Sequence, residues 1–84
     1  MTMEDRIYKK LQGALQPESL KVVNQSHLHA GHAGDDGSGE SHFKIEIGSE
    51  TLNAMGYVAR EREVHKILAE EIPLIHALGL KFIK

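Results

Sequence analysis

The chain has 84 residues, with 12 acidic side chains, 10 basic side chains, six histidines and no cysteine. This length fits a single domain with a thin core, because a chain so short buries only about 60–65 % of its unfolded surface. The lack of cysteine excludes disulfides, thiol nucleophiles and any iron–sulfur or thiolate zinc site built from this chain alone. The formal net charge of -2 excludes a globally basic, nucleic-acid-binding composition.

The sequence also argues against contact with a membrane. No apolar run approaches the ~18 residues that a membrane helix needs. The first residues lack the basic flank and the apolar stretch of a signal peptide. We therefore expect a soluble, cytoplasmic protein that does not interact with membranes.

The first part of the chain predicts one helix followed by two strands. Residues 4–15 predict a helix that Pro17 ends, with one apolar stripe formed by Ile7, Leu11, Ala14 and Leu15. Residues 20–26 and 41–48 alternate between apolar and polar side chains, which is typical of half-buried strands. They flank the glycine-rich segment 27–40, so we expect an antiparallel hairpin. A connection of that length is usually functional or mobile.

The second part of the chain predicts two helical segments and a last strand. Residues 49–56 indicate a turn or short helical turn, with Ser49 or Thr51 as its N-cap. A longer helix is expected over 57–71, ended by Pro73, with an apolar stripe formed by Tyr57, Val64, Ile67, Leu68 and Ile72. Alternation over 77–84 predicts a strand. The order αββααβ predicts an α+β fold in one domain, 1–84, with a mixed three-stranded sheet covered by helices on one face.

Histidines supply the main candidate site. His27, His29 and His32 lie within six residues of the loop, and three imidazoles could converge on zinc, copper or iron. Their spacing lacks the i, i+4 pattern of helical metal motifs, so spacing alone favours a solvated loop. His76 lies between two apolar residues, and by itself this pattern is more typical of a hydrogen-bonded core histidine.

Basic residues form a second, weaker candidate site. Arg60, Arg62 and Lys66 on the longer predicted helix, together with Lys44, could contact phosphates. Interleaved Glu61 and Glu63 largely cancel that charge, and no aromatic stacking surface accompanies it, so a solvated helix face is favoured. The chain shows no nucleophile elbow, phosphate-binding glycine loop or paired-carboxylate motif. We therefore do not expect an enzyme.

Short motifs along nearly the whole chain resemble those of the BolA family. Each is weak alone, but they occur in order and at the family's separations. They are Pro17-x-x-Leu20-x-Val22, Asn24-Gln25-Ser26, His29-Ala30-Gly31-His32, Gly39-Glu40-Ser41-His42-Phe43, Arg60-x-Arg62-x-Val64-His65, Ala69-Glu70-Glu71 and Ile75-His76-Ala77-Leu78.

The resemblance implies a fold similar to a class II KH domain and a non-enzymatic role. Many BolA-like proteins pair with monothiol glutaredoxins of the Cys-Gly-Phe-Ser type, share a 2Fe-2S cluster with them and act in iron regulation or iron–sulfur trafficking, and the resemblance implies the same for this chain. The family's two ligand positions fall on His29 and His76, with His27 and His32 as rival loop ligands. The partner and its glutathione would then supply thiolates. No cofactor is expected in the isolated chain, which we expect to be a monomer or weak dimer.

The alternative implied by the family is a DNA-binding transcriptional regulator of stress response and morphology. The sequence departs from the family where this role would be carried. The middle residue of the family's Arg-His-Arg motif is Glu61, the aromatic-x-Gly motif is replaced by Leu52-Asn53-Ala54, and only Gly56 remains in that loop. These changes disfavour DNA as a partner. A third hypothesis is plain buffering of zinc or copper by the histidine loop.

Overall fold

A computed structural model of the protein describes residues 2–29 and 39–84. Its helices and strands, in chain order, are α1 (Met3–Leu15), β1 (Ser19–Asn24), β2 (His42–Gly48), α2 (Glu50–Asn53), α3 (Tyr57–Ile67) and β3 (Ala77–Phe82). Two short 3₁₀ helices, Ser26–His29 and Ile72–Leu74, follow β1 and precede β3. The order confirms the predicted αββααβ arrangement. None of the described helices has the length and apolar character that a membrane span demands.

The sheet is mixed, as the sequence predicted. β2 lies in the middle, antiparallel to β1 and parallel to β3. Ile45 is aligned with Val22 on one side and with Leu80 on the other. Alternation along the strands then places one set of apolar side chains on the face that the helices cover: Leu20, Val22, Phe43, Ile45, Ile47, Leu78, Leu80 and Phe82.

The core lies between this sheet face and the helices. Its fully buried members outside the sheet are Met3, Ile7, Leu11, Leu52, Val64 and Leu68. A capping box begins α1: the Thr2 hydroxyl accepts the backbone N–H of Asp5, and the Asp5 carboxylate accepts that of Thr2. The hydrogen bonds from Thr2 lower the pKa of Asp5. Ser49 caps α2 through the N–H of Leu52, one of the two predicted N-caps.

The prediction for the longer helix was wrong at its end and at one core position. α3 stops at Ile67 rather than at residue 71, and Pro73 lies within the following 3₁₀ helix. The chain unwinds after Leu68, which turns the Glu71 side chain inward. Tyr57 was placed on the buried stripe but is 59 % exposed, with its ring perpendicular to that of Phe82 and 5.5 Å from it between centroids.

Glu71 forms a buried ion-pair cluster with α1. Its carboxylate is fully buried and lies 2.8 Å from both the Arg6 guanidinium and the Lys10 ammonium. Burial alone would raise the pKa of Glu71. The hydrogen bonds and charges of Lys10 and Arg6 outweigh that effect, so its pKa lies below the ordinary value. The cluster ties α1 to the connection between α3 and the second 3₁₀ helix.

The opposite face of the sheet, here called the open face, carries charged side chains on all three strands. Lys21, Glu46 and Lys81 are aligned across its three strands, and the Lys81 ammonium lies 4.0 Å from the Glu46 carboxylate. Lys44 lies on the same face beside Gly79, where an added methyl group would meet the Lys44 side chain at 3.9 Å. This open face is therefore polar and mainly basic.

Candidate ligand site at the base of the histidine loop

Backbone and side-chain hydrogen bonds join the two ends of the histidine loop. The Asn24 amide donates to the carbonyl of Gly39 at 2.7 Å, and its oxygen accepts the backbone N–H of Ser26 at 2.9 Å. Gly39 adopts a φ of +75°, a conformation that favours glycine. The local bond from Asn24 also explains why β1 ends there rather than at residue 26 as predicted.

The Ser26 hydroxyl is the centre of this loop base. It is buried and accepts the backbone N–H groups of Ser41 at 2.9 Å and His42 at 3.0 Å. The N–H of Gln25 donates to the carbonyl of His42 at 2.8 Å. A single small hydroxyl thus satisfies two buried backbone donors where the chain enters β2, and it fixes the 3₁₀ helix Ser26–His29 against that strand.

His76 lies at the same place, just before β3. Its backbone N–H donates to the carbonyl of Ser41 at 2.8 Å, and that of Ala77 donates to the same oxygen at 3.1 Å. The His76 side chain is exposed. The interpretation of this residue as a core histidine, drawn from its apolar neighbours, was therefore wrong. The extended backbone at Ile75 ends the second 3₁₀ helix and leads His76 to the loop base.

A second imidazole, that of His42, lies beside His76. The two ring centroids are 5.1 Å apart, and the rings are tilted by 48°. His42 is buried, and its Nδ1 lies 2.7 Å from the Ser41 hydroxyl. His42 was not among the predicted site residues. The signal that could have found it is the parallel register, in which His42 is aligned with Ala77 and so neighbours His76.

The other predicted ligands differ in how far the structure places them. His27 is exposed in the 3₁₀ helix that follows β1, and His29 is the last residue of that helix. His32 lies outside the described residues. Across residues 2–29 and 39–84, no group of three histidine, cysteine or acidic side chains could hold a metal ion. The assignment of the loop ligand to His29, with His27 and His32 as rivals, stays a prediction.

The basic residues predicted to contact phosphates do not form one surface. Lys44 lies on the open face of the sheet, whereas the other three lie on α3. The Arg60 guanidinium donates to the carbonyls of Met55 and Asn53 at 3.0 and 3.3 Å and lies 5.8 Å from the centre of the Phe82 ring. Arg60 therefore stabilises the turn between α2 and α3. Arg62 and Lys66 remain exposed on the outer face of α3.

Comparisons with known proteins agree with the fold. A family profile described as BolA-like protein matches residues 11–84. The chain is 43 % identical over 79 residues to the "DNA-binding transcriptional regulator BolA" of Vibrio cholerae, covering 93 % of this chain and 71 % of that protein. It is 40 % identical over 78 residues to "Protein BOLA1, chloroplastic" of Arabidopsis thaliana, covering 89 % of this chain and 49 % of that protein. The solved structure of BolA1 from Arabidopsis thaliana superposes with a TM-score of 0.81 at 38 % identity, covering 94 % and 87 % of the two chains.

Proposed function

Because the chain belongs to the BolA-like protein family, we propose that it is a non-enzymatic adaptor that shares a 2Fe-2S cluster with a monothiol glutaredoxin. The observation that carries the proposal is the position of His76. Its side chain is exposed, and its backbone is hydrogen-bonded to the base of the loop that bears His27, His29 and His32. A partner surface can reach such an imidazole without unfolding any described element.

The donor set of this chain fits half of a shared cluster. The chain offers imidazoles and no thiolate, and the described residues contain no complete metal site of their own. The proposal assigns one ligand to His76 and one to His29, with thiolates supplied by the partner glutaredoxin and its glutathione. Imidazole ligation raises the reduction potential of a 2Fe-2S cluster relative to ligation by cysteine alone. The isolated chain is then expected to bind no cluster, and the shared complex acts in iron regulation or iron–sulfur trafficking in the cytoplasm.

Co-expression with the host's monothiol glutaredoxin tests the proposal. We expect anaerobic copurification of a coloured 1:1 complex whose visible circular dichroism differs from that of the glutaredoxin homodimer. His76→Ala should abolish or strongly weaken the colour. His65→Ala, an exposed histidine on α3, is the matched control and should leave the spectrum unchanged. A fully stable coloured complex of the His76→Ala protein would contradict the proposal.

The same complex identifies the loop ligand. Single replacements by alanine at His27, His29 and His32 are compared for the visible spectrum and the half-life of the cluster. We expect only His29→Ala to change both. If His27→Ala or His32→Ala changed the spectrum instead, that histidine would be the loop ligand. The proposed adaptor function would still hold.

The name of the Vibrio relative favours a second candidate function, binding to DNA. The described structure supports this less well, because Arg60 is engaged in the α2–α3 turn and Lys44 lies on another face. Only Arg62 and Lys66 remain together, four residues apart on one side of α3. If these two residues bind duplex DNA, the log–log salt dependence should have a slope of about -2, from about -0.9 per phosphate neutralised. No gel shift at low salt would exclude this function.

A further inference from the structure

The unexplained feature at the proposed site is the buried ring of His42. An imidazole removed from water costs free energy unless its polar atoms are hydrogen-bonded. The Ser41 hydroxyl meets Nδ1 of His42 at 2.7 Å, and the centre of the ring lies 5.1 Å from that of His76. A strand residue whose only task was packing would be served equally well by an apolar side chain.

Two kinds of contact connect the pair Ser41-His42 to His76. The carbonyl of Ser41 accepts the backbone N–H of His76, which fixes where the His76 main chain lies. The ring of His42 packs beside the ring of His76, which restricts the side-chain rotamers that His76 can adopt. The Ser26 hydroxyl in turn holds the backbone N–H groups of both Ser41 and His42.

Restricting an exposed ligand matters for binding. A free imidazole before a strand samples several rotamers, and ordering it on binding costs conformational entropy. A ligand that neighbouring side chains already hold in place loses less conformational entropy on binding. The affinity therefore rises without any new contact to the bound group. Outer-shell residues of metal sites commonly contribute 10–100-fold in this way.

We propose that His42 is a positioning residue that holds the exposed His76 imidazole in one rotamer for ligation. This inference rests on the proposed function, because His76 is a ligand only there. The packing itself, however, can be measured in the isolated protein. The ligand role of His76 and its positioning by His42 can therefore be tested separately.

The first measurement uses the isolated protein and nuclear magnetic resonance. Side-chain couplings and ring-proton contacts should show one His76 rotamer against His42 in the wild type. In His42→Gln, His76 should average over several rotamers while the remaining amide spectrum stays folded. Ser41→Ala is the second variant, in case His42→Gln does not fold. It keeps the His42 ring, removes the hydrogen bond between the Ser41 hydroxyl and Nδ1, and should loosen His76 to a smaller extent.

The second measurement uses the coloured complex with the glutaredoxin. The cluster half-life should fall about 10-fold in His42→Gln, while the affinity of the cluster-free proteins stays unchanged. His65→Gln is the control and should match the wild type in both measurements. An unchanged His76 rotamer in His42→Gln would overturn the inference, even if the cluster were lost. If the wild type formed no coloured complex, the proposed function would fail, and the rotamer measurement would still decide whether His42 positions His76.

Discussion

Two groups of buried polar side chains stabilise this domain, one through ion pairs and the other through hydrogen bonds of hydroxyl groups. At one, the Glu71 carboxylate lies fully buried between the cations of Arg6 and Lys10. At the other, the hydroxyls of Ser26 and Ser41 and the imidazole of His42 form a hydrogen-bonded network at the loop base, the hydroxyl–imidazole network. Both connect segments that are distant in sequence. Only the second lies against an exposed imidazole, that of His76.

The difference shows that buried polar groups in one small domain can either stabilise the fold or hold a residue in position. Opposite charges at Glu71 satisfy one another within the chain, so that cluster contributes to the free energy of unfolding. The hydroxyl–imidazole network fixes the backbone of Ser41 and His42 and the ring of His42 through hydrogen bonds that are each worth about 1 kcal/mol net. The ion pairs of Glu71 hold α1 against the rest of the domain. The hydrogen bonds around Ser26 instead hold the backbone next to His76, the proposed ligand. The predictions below test this division.

The largest loss of stability is expected from Glu71→Gln. The substitution keeps the volume but leaves two cations without their carboxylate. Breaking a buried pair costs about 3–5 kcal/mol, and the partial exposure of Arg6 and Lys10 reduces the expected loss to about 2–3 kcal/mol. Urea unfolding measures it. Glu70→Gln is the matched control: that carboxylate is 3.7 Å from Lys10 but largely exposed, so the change should stay within about 0.5 kcal/mol. Equal effects of the two substitutions would contradict the burial argument.

Acid should weaken the same cluster selectively. Because the folded-state pKa of Glu71 is lowered from its ordinary value of 4.5, its stabilisation is fully present above that value. It is lost as the pH falls through the folded-state pKa. Between pH 7 and pH 3.5 the wild type should therefore lose more unfolding free energy than Glu71→Gln. Asp5, whose pKa is also lowered, is present in both proteins and cancels. Parallel pH profiles for the two proteins would refute this assignment.

The next loss of stability is expected in the hydroxyl–imidazole network, from Ser26→Ala. The change leaves the buried N–H groups of Ser41 and His42 without their acceptor, which costs about 1–3 kcal/mol. Hydrogen exchange at these two amides should accelerate more than at the centre of β2. Ser19→Ala, at an exposed position of β1, serves as the control. Unchanged exchange at both amides would show that water replaces the hydroxyl.

The smallest effect on stability is expected from Ser41→Ala. It removes one hydrogen bond to the His42 ring, worth about 1 kcal/mol, and keeps the carbonyl that accepts the N–H of His76. Thermal unfolding should change little, while the order of the His76 ring decreases. A stability loss as large as that of Glu71→Gln would remove the distinction between the two groups.

Most of the fold could be predicted from the sequence because periodicity reports which face of each element is buried. The alternation in β2 and β3, the cap at Ser49 and three members of the α1 stripe, Ile7, Leu11 and Leu15, were confirmed. The prediction for the fourth member, Ala14, was wrong, because its side chain is exposed. The errors lie where tertiary contacts decide. Helical periodicity continued past Ile67, but the inward turn of Glu71 toward α1 ended α3 earlier. Met3, absent from the predicted stripe, is buried in the core.

The site could be predicted less completely. A single histidine between apolar residues says nothing about its exposure, and the apolar neighbours of His76 pointed to the core. The contact of His76 with His42 depends on the parallel register of β2 and β3, which alternation alone does not define. Arg60 likewise looked like a free cation until the α2–α3 turn placed two carbonyls within its reach.

The lysines of the open sheet face have a consequence for behaviour at high concentration. β1 and β3 are the outer strands of the three-stranded sheet, so among residues 2–29 and 39–84 each has one edge without a neighbouring strand. Such edges are templates for uncontrolled strand addition between molecules. Lys21 lies on one outer strand and Lys81 on the other. Two copies approaching edge to edge would bring these ammonium groups together, so the same residues that make the face basic also protect the protein against aggregation.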